Sequence, residues 1–377
     1  MKFSNFLENY LGNVDCIESN YVGVWNLLLM RNWKKPDFLT SPVKGIFAMP
    51  MPMKFDYYDC VYVAEDSKWK MWADMLPQFT IPADTQYSNI VVPNNYTAQF
   101  SYMIELLVPT RKHLLMCGPT GTGKSVYINN TITKTLSQEK YKPLCLGFSA
   151  KTSANMTQDI IDGKLDKRRK GVYGPPAGQQ CILFIDDLNM PEVETYGAQP
   201  PIELIRQLVD NGGWYDLKEK SWRTIVDCSL IAAMGPAGGG RNSVTPRFLR
   251  HFNLFCFAEF DDGTLKRIFS TIVNWHFQTL SFPADIKSTA DAVVDATLDT
   301  YRAAMKALLP TPQKSHYTFN LRDFSRIIQG VLLCKPSESF NKAALIRLWS
   351  HEALRVFGSK IFLSDNKFKF AQFTNAA

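Results

Sequence analysis

HLLMCGPTGTGKS, residues 113–125, narrows the possible folds more than any other stretch of the chain. A short apolar run that reads as a buried strand enters a glycine-rich turn. Lys124 and Ser125 then open SVYINNTITKTL (125–136), which has helical spacing. Gly118, Pro119, Thr120, Gly121, Thr122, Gly123, Lys124 and Ser125 fit G-x-x-x-x-G-K-[ST] at every fixed position. Glycines at these positions allow positive φ and let backbone N–H groups close on phosphate oxygens. The following helix turns its positive N-terminal end to the same anion. Lys124 suits the β- and γ-phosphates and the Ser125 hydroxyl suits Mg²⁺. A bound nucleotide, ATP or ADP with Mg²⁺, is expected here.

CILFIDDLNMP (181–191) supplies a buried strand ending in two carboxylates. Asp186 is placed to hold Mg²⁺ through water, and Asp187 to polarise the attacking water. ATPases of this kind usually carry glutamate at the second position. The shorter aspartate sets its carboxylate about 1.5 Å back, a misplacement that can cost about a hundredfold in rate.

The runs HLLMC (113–117), PLCLGFS (143–149), CILFI (181–185), CSLIAAM (228–234) and FNLFCFA (252–258) read as strands covered on both faces. They alternate with helical stretches at 97–108, 125–136 and 201–212, which predicts βαβ units in a doubly wound parallel sheet over residues 96–262. Residues 263–357 carry four amphipathic helical patterns, a small bundle. Residues 1–95 are rich in aromatics and proline and read as an accessory segment, with Trp69 and Trp72 as packing material. Residues 358–377 have no assigned role.

Composition is that of an ordinary globular chain, 46% hydrophobic and 20% charged. The net charge of +7 is dispersed, and its one tight cluster, KLDKRRKG (164–171), reads as a solvated loop rather than a nucleic-acid patch. Eight cysteines lack metal-ligand spacing. Cys117, Cys145, Cys181, Cys228 and Cys256 are expected as buried free thiols in a reducing compartment. The five histidines are read as structural. With the basic charge dispersed no nucleic-acid partner is expected, and no apolar stretch suits a signal peptide or a membrane span, so no membrane partner is expected either.

The phosphate loop, carboxylate pair, later strands and helical lid together resemble the AAA+ superfamily, whose modules form rings and take an arginine from a neighbour. The resemblance implies three further positions. Sensor I, normally polar, falls at the end of SLIAAMGPAGGGRN, where Gly235 stands instead; Asn242 substitutes only if the glycine run folds back. TPRFLRHF (245–252) is similar to the arginine-finger segment, with Arg247 the first choice and Arg250 the second. NLRDFSRIIQG (320–330) resembles the sensor II helix, with Arg322 toward the γ-phosphate and Arg326 one turn on. Base contacts are expected around Ile90 to Pro93 and from the lid.

The stretches between these motifs are more specific. FSAKTSANMTQDIIDGKLDKRRKGVYGPPAGQQ, GGWYDLKEKSWRTIVD, AAMGPAGGGRNSVTPRFLRHFNLF and LLPTPQKSHYTFNLRDFSRIIQGVLL resemble the third AAA+ module of dynein heavy chains of the axonemal, inner-arm-like branch. Two hairpin inserts are implied, KTSANMTQ through GVYGPPAGQQ within the second helix and GGWYDLKEKSWRTIVD before the fourth strand. Also implied are slow hydrolysis in a gating module and neighbouring modules of the same heavy chain. Intermediate and light chains, microtubules and an axonemal location in a cilium or flagellum would follow through a longer motor, of which this chain is one piece. A self-assembling remodelling ATPase and a non-hydrolysing scaffold remain alternative readings.

Overall fold

The apolar runs pair as strands of one parallel sheet in a computed structural model, which describes residues 60–63, 66, 68–76, 79–309, 317–337 and 340–360. The strands are β1 (His113–Cys117), β2 (Tyr141–Gly147), β3 (Gln180–Asp186), β4 (Cys228–Met234) and β5 (Phe252–Cys256), in the order β5-β1-β4-β3-β2. All neighbours run parallel, so Cys117, Met234 and Asp186 finish at the same edge. This is the doubly wound parallel α/β sheet that the alternating runs predict. The initial accessory segment up to residue 59, and the tail from 361, lie outside the described residues.

Contacts divide the chain into two units. Among the described residues, one contains 60–76, 95–117 and 127–256; the other contains 79–94, 118–126 and 257–360. In the first unit, β1, β3 and β4 are inner strands and nearly continuous burial follows. Leu115, Leu183, Ile185, Leu230 and Ala232 meet Ile202, Ile205 and Phe248 in the main core. Trp72 is buried and stacks edge-on against Tyr102, which bears out its reading as packing.

Several sequence expectations change. β2 and β5 are sheet edges, so their side chains alternate, and Cys145 and Cys256 are exposed while Cys117 and Cys228 are partly so; of the five expected, only Cys181 is buried. β2 also begins two residues before the expected Pro143, because an edge strand tolerates a residue without an N–H. The helix Lys124–Asn130 passes into a π-helical turn at Thr131–Thr135. The Thr131 hydroxyl donates to the Tyr127 carbonyl (2.9 Å), one of the side-chain bonds that compete with a regular helix. The basic cluster includes a strand, Asp166–Arg169, in place of a loop, and it is exposed as expected. Arg168 is engaged by Asp227, and its Nε donates to the Pro175 carbonyl.

The two inserts combine. Asp166–Arg169 pairs with Val172–Gly174, Gly213–Tyr215 pairs with Trp222–Ile225, and a parallel pairing of Val172–Gly174 with Trp222–Ile225 joins them into one four-stranded sheet. Asp162 at the end of helix Ala154–Asp162 accepts from Trp214 Nε1 and pairs with Arg223, both at 3.1 Å.

In the second unit the lid helices are Asp262–Thr279, Ala290–Ala307, Leu321–Val331 and Lys342–Gly358, with a short Ala284–Lys287 turn. Phe324 packs against Phe269 and Tyr301, and Trp349 Nε1 donates to the buried Thr297 hydroxyl at 2.9 Å. The strap 79–94 is fastened to these helices. The Tyr87 hydroxyl bonds Ser325 Oγ (2.8 Å) and its carbonyl (2.9 Å), and Trp275 Nε1 donates to the Ile81 carbonyl. Burial pushes the Tyr87 phenol up to about 12, so the hydroxyl stays protonated.

His113, at the start of β1, accepts the Leu230 N–H at Nδ1 (3.1 Å), which requires an unprotonated Nδ1. Burial, then the charges of His251 and Lys112, push its pKa down from 6.5 to about 4. The unfolded chain takes up that proton near pH 6.5, the folded chain only near 4. The contribution to stability is therefore complete above pH 6.5 and lost as pH falls, by about 2 kcal/mol at pH 5. Between pH 7 and 5 the Tm of the wild type should fall more steeply than that of His113→Gln. Equal slopes would refute the assignment.

Candidate nucleotide site

The phosphate loop belongs to the second unit and the carboxylate pair to the first. The loop leaves β1 at Cys117 and ends in the helix Lys124–Asn130, as the spacing predicts. Gly121 (φ 90°) and Gly123 (φ 76°) hold left-handed conformations that a side chain would oppose. A Cβ on Gly118 would lie 2.7 Å from both Cβ and the carbonyl oxygen of Phe257. The buried Lys124 ammonium donates to the carbonyls of Gly118 (2.8 Å) and Pro119 (2.6 Å), and lies 3.2 Å from Thr122 Oγ1. Thr122 in turn donates to the Pro119 carbonyl. The lysine thus lies within the curve of its own loop. Ser125 is half-buried in the first helical turn.

The lid meets the loop through the helix Leu321–Val331. The Leu321 nitrogen lies 3.3 Å from where a Cβ on Gly121 would stand. Asn320 caps that helix, accepting from the Arg322 N–H, while Asp323 closes a capping box by accepting from the Asn320 N–H. Asp323 is buried and held by Lys360 Nζ at 2.5 Å, with Arg326 at 3.8 Å. Arg322 is exposed on the first turn and makes no ion pair among the described residues. A cleft of about 50 Å³ lies beside the loop, bordered by Thr120, Thr122, Phe260, Tyr301 and Asn320.

In the first unit Asp186 ends β3, half-buried, and its Oδ1 accepts the Asp187 N–H (3.0 Å). A carboxylate at a strand end is a hard oxygen donor of the kind that suits Mg²⁺. Among the described residues no cluster of three or more His, Cys, Asp or Glu could hold a metal, so a fully protein-built cage is not offered there. Asp187 adopts φ 52°, which aspartate tolerates better than most residues. Its carboxylate is 45% exposed and forms an ion pair with Arg241 at 2.9 Å.

Arg241 is the residue that sequence reasoning missed. The glycine run does fold back: Gly238 and Arg241 exchange backbone hydrogen bonds at 2.9 and 3.1 Å. It brings Arg241 rather than Asn242 to the carboxylate, because the Asn242 amide donates to the Pro191 carbonyl (2.7 Å). Asn189 Nδ2 bonds the Gly235 carbonyl (2.8 Å), and its own Oδ1 is buried without a hydrogen-bond partner among the described residues. The only available signal was the run of three glycines before an arginine. Of the two finger candidates, Arg250 is paired with Asp210 (2.9 Å), whereas Arg247 is exposed and makes no ion pair among the described residues.

Comparison with known proteins agrees with this architecture. Residues 79–260 match the family described as the P-loop containing dynein motor region, and residues 273–367 match the dynein heavy chain ATPase lid domain. Dynein axonemal heavy chain 12 of Mus musculus is 45% identical over 344 residues, which cover 88% of this chain and 11% of that protein. Dynein axonemal heavy chain 1 of Homo sapiens is 48% identical over 315 residues, 81% of this chain and 7% of that protein. Dynein axonemal heavy chain 3 of Homo sapiens is 45% identical over 339 residues, 89% and 8% respectively. The chain thus spans about a tenth of the length of these relatives. It belongs to the axonemal dynein heavy chain family, as one AAA+ P-loop module with its lid.

Proposed function

We propose that this module binds Mg·ATP and gates a dynein motor, hydrolysing its nucleotide slowly. The observation that carries the reading is the complete GPTGTGKS loop, closed around its own lysine between a buried strand and a helix. Lys124 and the loop N–H groups would take the β- and γ-phosphates, and Ser125 with Asp186 would hold Mg²⁺. Asp187 would orient the water that attacks the γ-phosphorus as the bond to ADP breaks. Arg322 would contact the γ-phosphate from the lid. Arg247, unpaired in the described structure, suits service as a finger for a neighbouring module better than Arg250, which Asp210 engages. The strap around Ile90 to Pro93 and the lid would hold the base.

Slow turnover is supported by the short carboxylate at 187, by a glycine at the sensor I position and by the need for a neighbour's arginine. Assignment as the third module, in the inner-arm-like branch, rests on the resemblance of the stretches between motifs. Within a longer heavy chain the partners would be adjacent AAA+ modules, and intermediate and light chains and microtubules through the whole motor in an axoneme. The described residues contain no helix long and apolar enough to cross a membrane.

The test is nucleotide titration followed by single-turnover hydrolysis on one sample of the chain. Micromolar Mg·ATP binding with little turnover is the expected result. Turnover that is fast and rises with protein concentration would replace this reading with a self-assembling ATPase. No binding would leave a scaffold.

A further inference from the structure

We infer that Cys181 and Cys228 form a modification site, a dithiol that a hydroperoxide converts to a reversible disulfide within the sheet. Its basis is register. In the parallel ladder Lys142 of β2 stands opposite Cys181 of β3, and Cys181 opposite Cys228 of β4, so the three form one row across the strands. Residues aligned in this way project from the same face, here the face that carries Leu183 and Leu230 into the main core. Neighbouring strands lie about 4.8 Å apart, and a disulfide needs Cα atoms about 4.4–6.8 Å apart. The bond can therefore form without a change of pairing. Cβ atoms spaced like the strands stand near the upper end of the usual disulfide range, and bonds held off their best geometry are the ones that reductants open readily.

The two sulfurs are not equivalent. Cys181 is 5% exposed, and the Cys228 thiol, then the charge of Lys142, hold it below the ordinary thiol range although burial opposes them. Cys228 is partly exposed and pushed up, chiefly by its Cys181 partner and by burial, and its thiol donates to the Val226 carbonyl at 3.6 Å. The carboxylate beside it, Asp227, is engaged by Arg168 and, at 2.7 Å, by Arg111. Cys181 is thus the nucleophile in an electropositive setting and Cys228 its protonated partner. The Cys181 thiolate attacks one peroxide oxygen and the O–O bond breaks. The departing hydroxide or alkoxide takes up the proton that the thiol gave up, and Cys181 is left as a sulfenic acid. The Cys228 sulfur then displaces the sulfenic hydroxyl, which leaves as water with the Cys228 proton, and the S–S bond forms. Two electrons pass from the sulfurs to the peroxide, and a dithiol reductant returns them.

In the test the full chain, reduced and then freed of reductant, is treated with hydrogen peroxide and digested without reduction. Mass spectrometry should find the Cys181 and Cys228 peptides joined before the more exposed Cys145 and Cys256 react, and separated again by dithiothreitol. The linked chain should melt about 5 °C higher, because the bond closes a long loop in the unfolded state. Cys228→Ser should leave a Cys181 sulfenic acid that dimedone traps, whereas Cys181→Ser should leave Cys228 unoxidised. Lys142→Gln should slow formation of the link severalfold at an unchanged Tm of the reduced chain, which a purely structural lysine would not do. A wild type in which Cys145 or Cys256 is oxidised first, or in which the link forms only after unfolding in urea, would overturn the site. Either result is read without nucleotide, so the nucleotide reading stands or falls separately.

Discussion

Lys124→Ala is expected to weaken Mg·ATP binding by about a hundredfold or more. The lysine is the loop's one side-chain cation, and its ammonium sits buried among the Gly118 and Pro119 carbonyls. In the bound state those donors would turn to phosphate oxygens, and hydrogen bonds from a charged donor contribute about 1.5–3 kcal/mol each. Two such bonds account for a loss of at least about 3 kcal/mol, which is about a hundredfold in Kd. The fold should survive, because the loop's turns are set by glycine backbone and by the Thr122 bond to Pro119, neither of which needs the lysine. Titration should therefore show lost binding at a Tm within a few degrees of the wild type. An affinity within threefold of the wild type would remove the phosphate loop from the mechanism.

Much of this module could be read from its residues, and the parts that could not share a physical cause. β1, β3 and β4 announced themselves because an inner strand of a parallel sheet is apolar on both faces. Whether a strand is inner or outer is a property of the pairing order, so nothing local told Cys145 and Cys256 that they would face outward. The same holds for the pairing of Val172 with Thr224, two residues far apart in sequence that join the inserts. The phosphate loop was legible because its chemistry fixes residue types at fixed spacing, and the lid because its helices repeat on one face. Arg241 carried no periodicity and matched no motif position. Its contact with Asp187 depends on a reversal whose glycines were visible but whose register was not. Gly235, where the resemblance implies a polar residue, reads as a gap until the side chain lying across it is seen.

Gly118→Ala is expected to damage both fold and binding, and for a reason different from that at Gly121. A Cβ at Gly121 would meet its nearest neighbours at 3.3–3.5 Å, so its cost is conformational, about 1–2 kcal/mol for a side chain in the left-handed region. At Gly118 the new methyl would stand 2.7 Å from the Cβ and the carbonyl oxygen of Phe257 and 3.2 Å from its Cα. These atoms lie on or next to the backbone of a buried residue and cannot swing aside as a side-chain end can. Either the loop or the segment following β5 must shift, at about 1–3 kcal/mol, the usual cost of overpacking. A loop displaced by even about 1 Å loses alignment with the phosphates, which can cost about a hundredfold. Thermal melting and Mg·ATP titration of Gly118→Ala should thus show a lowered Tm together with weakened binding, whereas Gly121→Ala should lose less stability. If Gly118→Ala melts and binds like the wild type, the close approach of Phe257 does not constrain the loop, and the first glycine of the motif serves its backbone donors alone.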